Sequence, residues 1–229
     1  LWRRPVGAKI RRLVRVMELP ARERLEAEIR RRAVEGDLAG AAEAAMRGYG
    51  REVFEFLAAL HRRDDDAAEV FSLFAEGLWR GLPAFGWQCS FRTWAYAVAR
   101  KASLRFRRDA RRRAARQGPL PEGSGLTALV EEVRSATQSY LRTDRRSRFA
   151  ELRATLPPED QALLMLRVDR QLPWTDLVRV LHEDDAAPPE GEALKREAAR
   201  LRKRFQLLKE KLYELGRREG LVGSEKDDR

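Results

Sequence analysis

Apolar residues recur every three or four positions along most of this chain, and no stretch alternates for long enough to build a half-buried strand. The pattern predicts an all-α protein. Helices are expected over 22–35, 37–60, 66–82 and 91–113. The periodicity stops at QGPLPEGSG (117–125), where Gly, Pro and Ser cluster. It resumes in LTALVEEVRSATQSYL (126–141), expected as one helix. Beyond it four helices are expected to form a C-terminal module, with Pro157 and Pro158 ending one helix and starting the next, because proline suits a first helical turn and stops what precedes it. From Gly220 onward the chain has too few apolar residues to pack. The expected organisation is two helical domains on a flexible linker: a basic N-terminal extension at 1–36, a first domain at 37–116, a linker with a helix at 117–142, a second domain at 143–216 and a tail at 217–229. Within the extension, LWRRPVGAKIRRLVRVMEL (1–19) is read as a partly ordered, solvated segment, with a basic amphipathic helix on a membrane or nucleic acid as the alternative.

The helix expected over 91–113 has two unlike sides. At about 100° per residue, Phe91, Trp94, Ala95, Val98, Ala102 and Phe106 share one side, the expected core. The other collects Thr93, Tyr96, Arg100, Ser103, Arg107 and Arg111, flanked by Lys101 and Arg108, and is expected to lie open along a phosphate backbone. Tyr96 shares that arginine side, where a ring can stack on an exposed base while guanidinium groups hold phosphates. Phe85 and Trp87 precede the helix in a loop bounded by Pro83 and Gly86, with Ser90 placed as its N-cap. The loop reads equally well as a trap for an unstacked base and as a lid on the core.

Near the C-terminus Leu194, Ala198, Leu201, Phe205, Leu208, Leu212 and Leu215 step alternately by four and three, a regular packing seam. Opposite it lie Arg196, Ala199, Arg200, Lys203 and Gln206, a face of the kind that enters a major groove, where Arg reads guanine and Gln adenine. The shorter PWTDLVRVL before it has the place of the supporting helix in a helix-turn-helix, with Trp174, Leu177 and Val178 as its core contacts. A seam of this length also fits a coiled-coil dimer.

Charge then selects the partner. Lys and Arg total 47 against 36 Asp and Glu in 229 residues, a net charge of +11, as expected of a chain that meets a polyanion. Nucleic acid leads, with an anionic membrane surface second. A lone Cys89 excludes an intramolecular disulfide framework and, with only His61 and His182 beside it, no His/Cys metal cluster can be assembled; a reducing cytoplasm fits. No apolar run approaches the roughly 18 residues of a membrane span, so no membrane insertion is expected. The chain begins with Leu instead of Met, which reads as an unusual start or an incomplete N-terminus. Asp64, Asp65 and Asp66 offer carboxylates for a metal, but neighbouring side chains at a helix start diverge, and acids there favour the helix dipole. No phosphate-binding glycine loop or nucleophile motif accompanies them. We therefore expect no catalysis, no metal and no cofactor.

Two stretches resemble a known family. GYGREVFEFLAAL (48–60) and the run from Asp64 to Arg113, with SFRTWAYAVAR (90–100) its most specific part, resemble the region-two domain of extracytoplasmic-function sigma factors of the sigma-70 family. LPPEDQALLMLRVDRQLPWTDLVRVL (156–181) followed by LKREAARLRKRF (194–205) resembles region four of the same family, a helix-turn-helix domain. The resemblance implies a non-enzymatic initiation factor that docks on core RNA polymerase and recognises promoter DNA. By position it assigns the minus-ten element to Phe85, Trp87, Gln88, Ser90, Tyr96, Arg100, Lys101, Arg107 and Arg108, and the minus-thirty-five element to Lys195, Arg196, Arg200 and Lys203. It points the helix bearing Glu69, Ser72, Leu73, Glu76 and Arg80 at the clamp of the polymerase's largest subunit, and region four at the flap of the second-largest. For many relatives it also implies an anti-sigma factor.

Two departures stand out. Ser72 and Leu73 replace the Gln and Glu of many relatives on the clamp-facing helix. HEDDAAPPEGE (182–192) replaces a tight turn and brings Asp184, Asp185, Glu190 and Glu192 near a surface meant for DNA; an outward-directed, solvated loop is expected there. A DNA-binding regulator that no longer engages polymerase is the alternative reading that these departures allow.

Overall fold

The computed structural model describes residues 19–61, 63–108, 125–144, 148–182 and 188–219. Its helices are α1 (Leu19–Val34), α2 (Leu38–Leu60), α3 (Asp64–Gly81), α4 (Phe91–Arg108), α5 (Gly125–Asp144), α6 (Arg148–Ala154), α7 (Pro158–Leu164), α8 (Trp174–Leu181) and α9 (Gly191–Arg218). A 3-10 turn at Leu82–Ala84 follows α3, and a π-helical segment at Met165–Asp169 continues α7. Among the described residues there is no strand. The fold is all-α, as the periodicity predicts.

Local chemistry sets the helix boundaries. Gly36, at φ +84°, closes α1: its N–H donates to the Ala33 carbonyl and that of Asp37 to the Arg32 carbonyl, a paired closure that needs a left-handed residue. Asp37 then caps α2 by accepting from the Gly40 N–H at 2.8 Å. Asp64, Asp65 and Asp66 occupy the first turn of α3, where unpaired N–H groups favour acids. Pro158 opens α7, four residues beyond the end of α6.

Helices α2, α3 and α4 bury Val53, Phe54, Leu57, Val70, Phe71, Phe74, Ala95 and Phe106 among themselves. The N-terminal segment is an integral part of this body: α1, the helix expected over 22–35, packs on α2 with Ile29 fully buried. Residues 1–18 lie outside the described residues, as do the Gly/Pro-rich break (apart from Gly125), the continuation of the basic helix past Arg108 and the tail from Gly220. The helix expected after the break, α5, lies along α2 and buries Leu126, Leu129 and Val130 in the same core.

That core does not stop at the expected domain boundary. Leu163, Leu166, Leu172, Leu177 and Val180, from α7, the π segment, the turn after it and α8, belong to one cluster with Phe56 and Tyr96. A smaller cluster of Leu156, Leu164 and Leu208 seats α9 on α7. Among the described residues the two expected domains pack into one continuous body, because α4 is covered from both sides. Its Phe91, Ala95 and Phe106 meet the α2–α3 bundle, while Tyr96 and Arg100 lie under the second half of the chain.

Candidate nucleic-acid interface

Helix α4 starts with unusually complete capping. Ser90 Oγ accepts from the Thr93 N–H at 3.1 Å, as expected of an N-cap. The N–H groups of Phe91 and Arg92, which have no intrahelical acceptor, both donate to the carboxylate of Glu26 on α1, at 2.6 and 2.9 Å. Glu26 also accepts from the Tyr49 hydroxyl at 2.7 Å. One acid thus ties α1 and α2 to the point where the aromatic loop becomes helix. Nothing local in the sequence marks Glu26, since its partners lie 65 and 66 residues away.

In the loop before α4, Phe85 stacks on Trp94, with centroids 4.7 Å apart and 20° between planes, and meets Trp87 at 4.7 Å. The Trp94 ring lies against Gly81, where an added Cβ would stand 2.9 Å from it; only glycine permits this approach. Trp87 has φ +57°, strained for a bulky residue and of the kind that collects at functional sites. Arg30 of α1 stands over its ring at 5.6 Å. Phe85, Trp87 and Trp94 are each partly exposed and Gln88 is exposed, so these residues form an aromatic ledge with its rims in solvent. Trp94, expected in the core, is shared between core and ledge.

The arginine side of α4 is not the open face expected. Tyr96 is fully buried and Arg100 is 1% exposed. Tyr96 lies edge-on to Phe56, with Arg92 over its ring at 5.3 Å, and burial pushes its phenol upward. Arg100 lies 3.9 Å from Glu159 of α7. Ser103 meets His61 at 2.8 Å. Arg107 is half-buried and donates to the Leu60 carbonyl at 3.0 Å; burial lowers its pKa, partly opposed by Glu159. The physical reason is a set of carboxylates that helical periodicity does not reveal: Glu52 and Glu55 of α2, Glu159 of α7 and Asp176 of α8 all serve this side. What remains exposed on α4 is a row of Lys101, Arg105 and Arg108. Arg105 was not among the expected contacts, although its four- and three-residue spacing from the other two marks it.

On α9 the expected seam is present. Ala198 and Leu208 are buried, Leu201 and Phe205 pack on the main core, and Phe205 meets Trp174 of α8 edge-on at 5.6 Å. Leu177 and Val178 of α8 are buried as expected. Lys195, Arg196, Ala199, Arg200, Lys203 and Gln206 are all exposed on the opposite side. Lys195 pairs with Glu192 at 2.7 Å and Arg200 with Glu197 at 2.6 Å, exposed contacts worth little that a phosphate can displace. Of the acidic connection, Glu190 and Glu192 are exposed, and Asp184 and Asp185 lie outside the described residues.

Helix α3 turns Glu69, Ser72, Glu76 and Arg80 to its outer side, with Glu76 paired to Arg80. Ser72 donates to the Ala68 carbonyl at 3.2 Å and Leu73 packs partly against the core. This edge is therefore less acidic and more apolar than a row of Gln and Glu would be.

Residues 45–113 match the family model for sigma-70 region 2. The match spans α2 from Ala45, all of α3, the aromatic ledge and α4. No curated protein and no solved structure matches the chain. The segment from Ala45 to Arg113 is thus similar to sigma-70 region 2, which supports a place for the chain in the sigma-70 family.

Proposed function

We propose that the chain is an alternative sigma factor of the extracytoplasmic-function type, which binds core RNA polymerase and directs it to promoters with minus-ten and minus-thirty-five elements. The match of 45–113 to sigma-70 region 2 carries this reading. In support, the module joins an aromatic ledge to a row of cations, the combination that holds a strand whose bases have left the stack. Phe85, Trp87, Gln88 and Ser90 receive the separated minus-ten strand, and Lys101, Arg107 and Arg108 hold its phosphates. Tyr96 and Arg100 join them only if α4 is uncovered.

The pair α8 and α9 acts as a helix-turn-helix region four that reads the minus-thirty-five duplex through Lys195, Arg196, Arg200 and Lys203. These cations project from one solvent-facing side of a helix supported from behind by Trp174 and Leu177, as groove reading requires. Polymerase meets the chain through Glu69, Ser72, Leu73, Glu76 and Arg80 on α3, with region four on the flap. The partly buried Leu73 and the paired Glu76 favour a small apolar contact rimmed by charge.

Co-migration with core RNA polymerase tests the reading. The full chain is expected to form a stable complex with core, and Leu73→Asp to weaken it with the fold intact. A chain that binds promoter DNA but never binds core would make it a DNA-binding regulator instead.

A further inference from the structure

The buried side of α4 is held by groups from the second half of the chain. Thr93 Oγ1 donates to Asp176 Oδ2 at 2.9 Å. Arg92 Nη1 donates to the Arg170 carbonyl at 3.1 Å while its other nitrogens bind both oxygens of Glu52 at 2.6 and 3.0 Å. Arg170 itself reaches across to Glu55 at 2.9 Å. Arg92 and Arg170 are each 5% exposed. The result is a neutral island of two arginines and two glutamates, walled by Tyr96 and roofed by the turn that follows the π segment.

Such an island is stable only when closed. Desolvated charges are tolerated when each has its partner, and removing one leaves the others buried and uncompensated. Burial disfavours a charged Arg170, but Tyr96, Glu52 and Glu55 more than offset this and hold its pKa above the ordinary range. The sequence separations, 78 residues for Arg92 to Arg170 and 83 for Thr93 to Asp176, make these docking contacts between distant parts of the chain.

The closed body is also too small for the task proposed above. Elements centred ten and thirty-five base pairs upstream are roughly 25 base pairs apart, about 85 Å at about 3.4 Å per pair. A compact chain of this length has a radius of gyration of about 17 Å, and so measures roughly 45 Å across. One rigid closed body does not reach both elements.

We propose that this is a self-closed state, in which α7, the π segment and α8 dock on the DNA-facing side of α4 and must undock before the chain engages a promoter. The inference rests on the proposed sigma-factor reading. In the closed state the carboxylates of Asp176 and Glu159 stand beside α4 in place of DNA phosphates. The chain's own second half is thus the occupant of this face, and promoter DNA is its competitor. Opening exposes Tyr96 and Arg100 and hydrates Glu52 and Glu55.

A reversible lock tests this on the full chain. In a Cys89→Ser background, Thr93→Cys and Asp176→Cys place two thiols where a hydrogen bond now joins the side chains. Mild oxidation is expected to form an intramolecular disulfide, detected by mass spectrometry. The oxidised protein is expected to lose promoter-directed transcription by at least about tenfold, and reduction to restore it, because the competent fraction falls to near zero when opening is blocked. Failure of the disulfide to form, or full transcription by the oxidised protein, overturns the proposal. Arg170→Glu supplies a second measurement: a third carboxylate beside Glu52 and Glu55 is expected to raise the radius of gyration in small-angle scattering with helix content kept. An unchanged radius would also count against the latch. If the disulfide forms and scattering shows opening, yet the reduced protein directs no transcription, the closed state stands and the sigma reading falls.

Discussion

Replacing Glu26 with alanine tests whether α1 is structurally part of the module that matches sigma-70 region 2. The carboxylate accepts three hydrogen bonds, from the Phe91 and Arg92 N–H groups and the Tyr49 hydroxyl. Loss of an N-terminal cap costs about 0.5–2 kcal/mol. The Tyr49 hydroxyl, on a residue 1% exposed, is left without its acceptor at about 1–3 kcal/mol. The sum is roughly 1.5–5 kcal/mol, with the lower half more realistic because water can reach part of the site. For a chain of this size each kcal/mol moves Tm by about 2–4 °C, so Glu26→Ala is expected to melt roughly 3–12 °C lower. Glu26→Gln keeps one acceptor oxygen and is expected to lose less than half as much, while Tyr49→Phe removes only the hydroxyl. Thermal melts followed by far-UV circular dichroism measure all three. Tryptophan emission provides a local readout, since Trp87 and Trp94 lie at the end of α4 that Glu26 holds. A Glu26→Ala melt within about 2 °C of the parent would refute the assignment of Glu26 as a cap.

Three further outcomes follow from the same geometry. Burial raises the Cys89 thiol pKa, so less thiolate is present at mildly alkaline pH and Cys89 is expected to react with a disulfide reagent more slowly than free cysteine; Arg170→Glu is expected to speed the reaction by opening the body and relieving that burial. Arg200→Ala on the exposed face of α9 is expected to weaken promoter binding and reduce the slope of log affinity against log salt by about 1, measured by fluorescence anisotropy. Phe85→Ala is expected to impair promoter opening, read by permanganate reactivity of unpaired thymines, more than duplex binding. Tyr96→Ala is unsuited to that purpose, because emptying a fully buried aromatic site costs about 3–5 kcal/mol of stability.

The helices and their ends are legible in the sequence because short-range rules decide them. Asp37 and Ser90 accept from backbone N–H groups three residues on, Pro158 opens a first turn, and the seam from Leu194 to Leu215 follows helical spacing. The sides of α4 are legible only in part. Periodicity finds Phe91, Ala95 and Phe106 correctly as core, and it separates Tyr96 and Arg100 from them. It treats that second side as solvent-facing because Arg and Tyr are polar, whereas Glu52 and Glu55 on α2 and Asp176 on α8 make burial possible there by supplying opposite charge and hydrogen bonds. No local pattern announces a carboxylate arriving from 40 residues upstream or 83 downstream. Glu26 is invisible for the same reason, and the place of α1 in the fold is lost with it. The proposed DNA contacts divide accordingly. Phe85, Trp87, Lys101 and Arg108 lie at accessible positions, as do Lys195, Arg196, Arg200 and Lys203, whereas Tyr96 and Arg100 are covered.

Run-off transcription by purified bacterial core RNA polymerase, on a template library with a randomised upstream region, tests the central claim most directly. With the full chain added, transcripts are expected to rise well above core alone, and sequencing of the active templates to reveal two shared motifs, one near the start site and one farther upstream. Arg196→Ala with Arg200→Ala should blur the upstream motif and spare the nearer one. Transcription no higher than with core alone, from a chain shown to be folded and to bind DNA, would contradict the account.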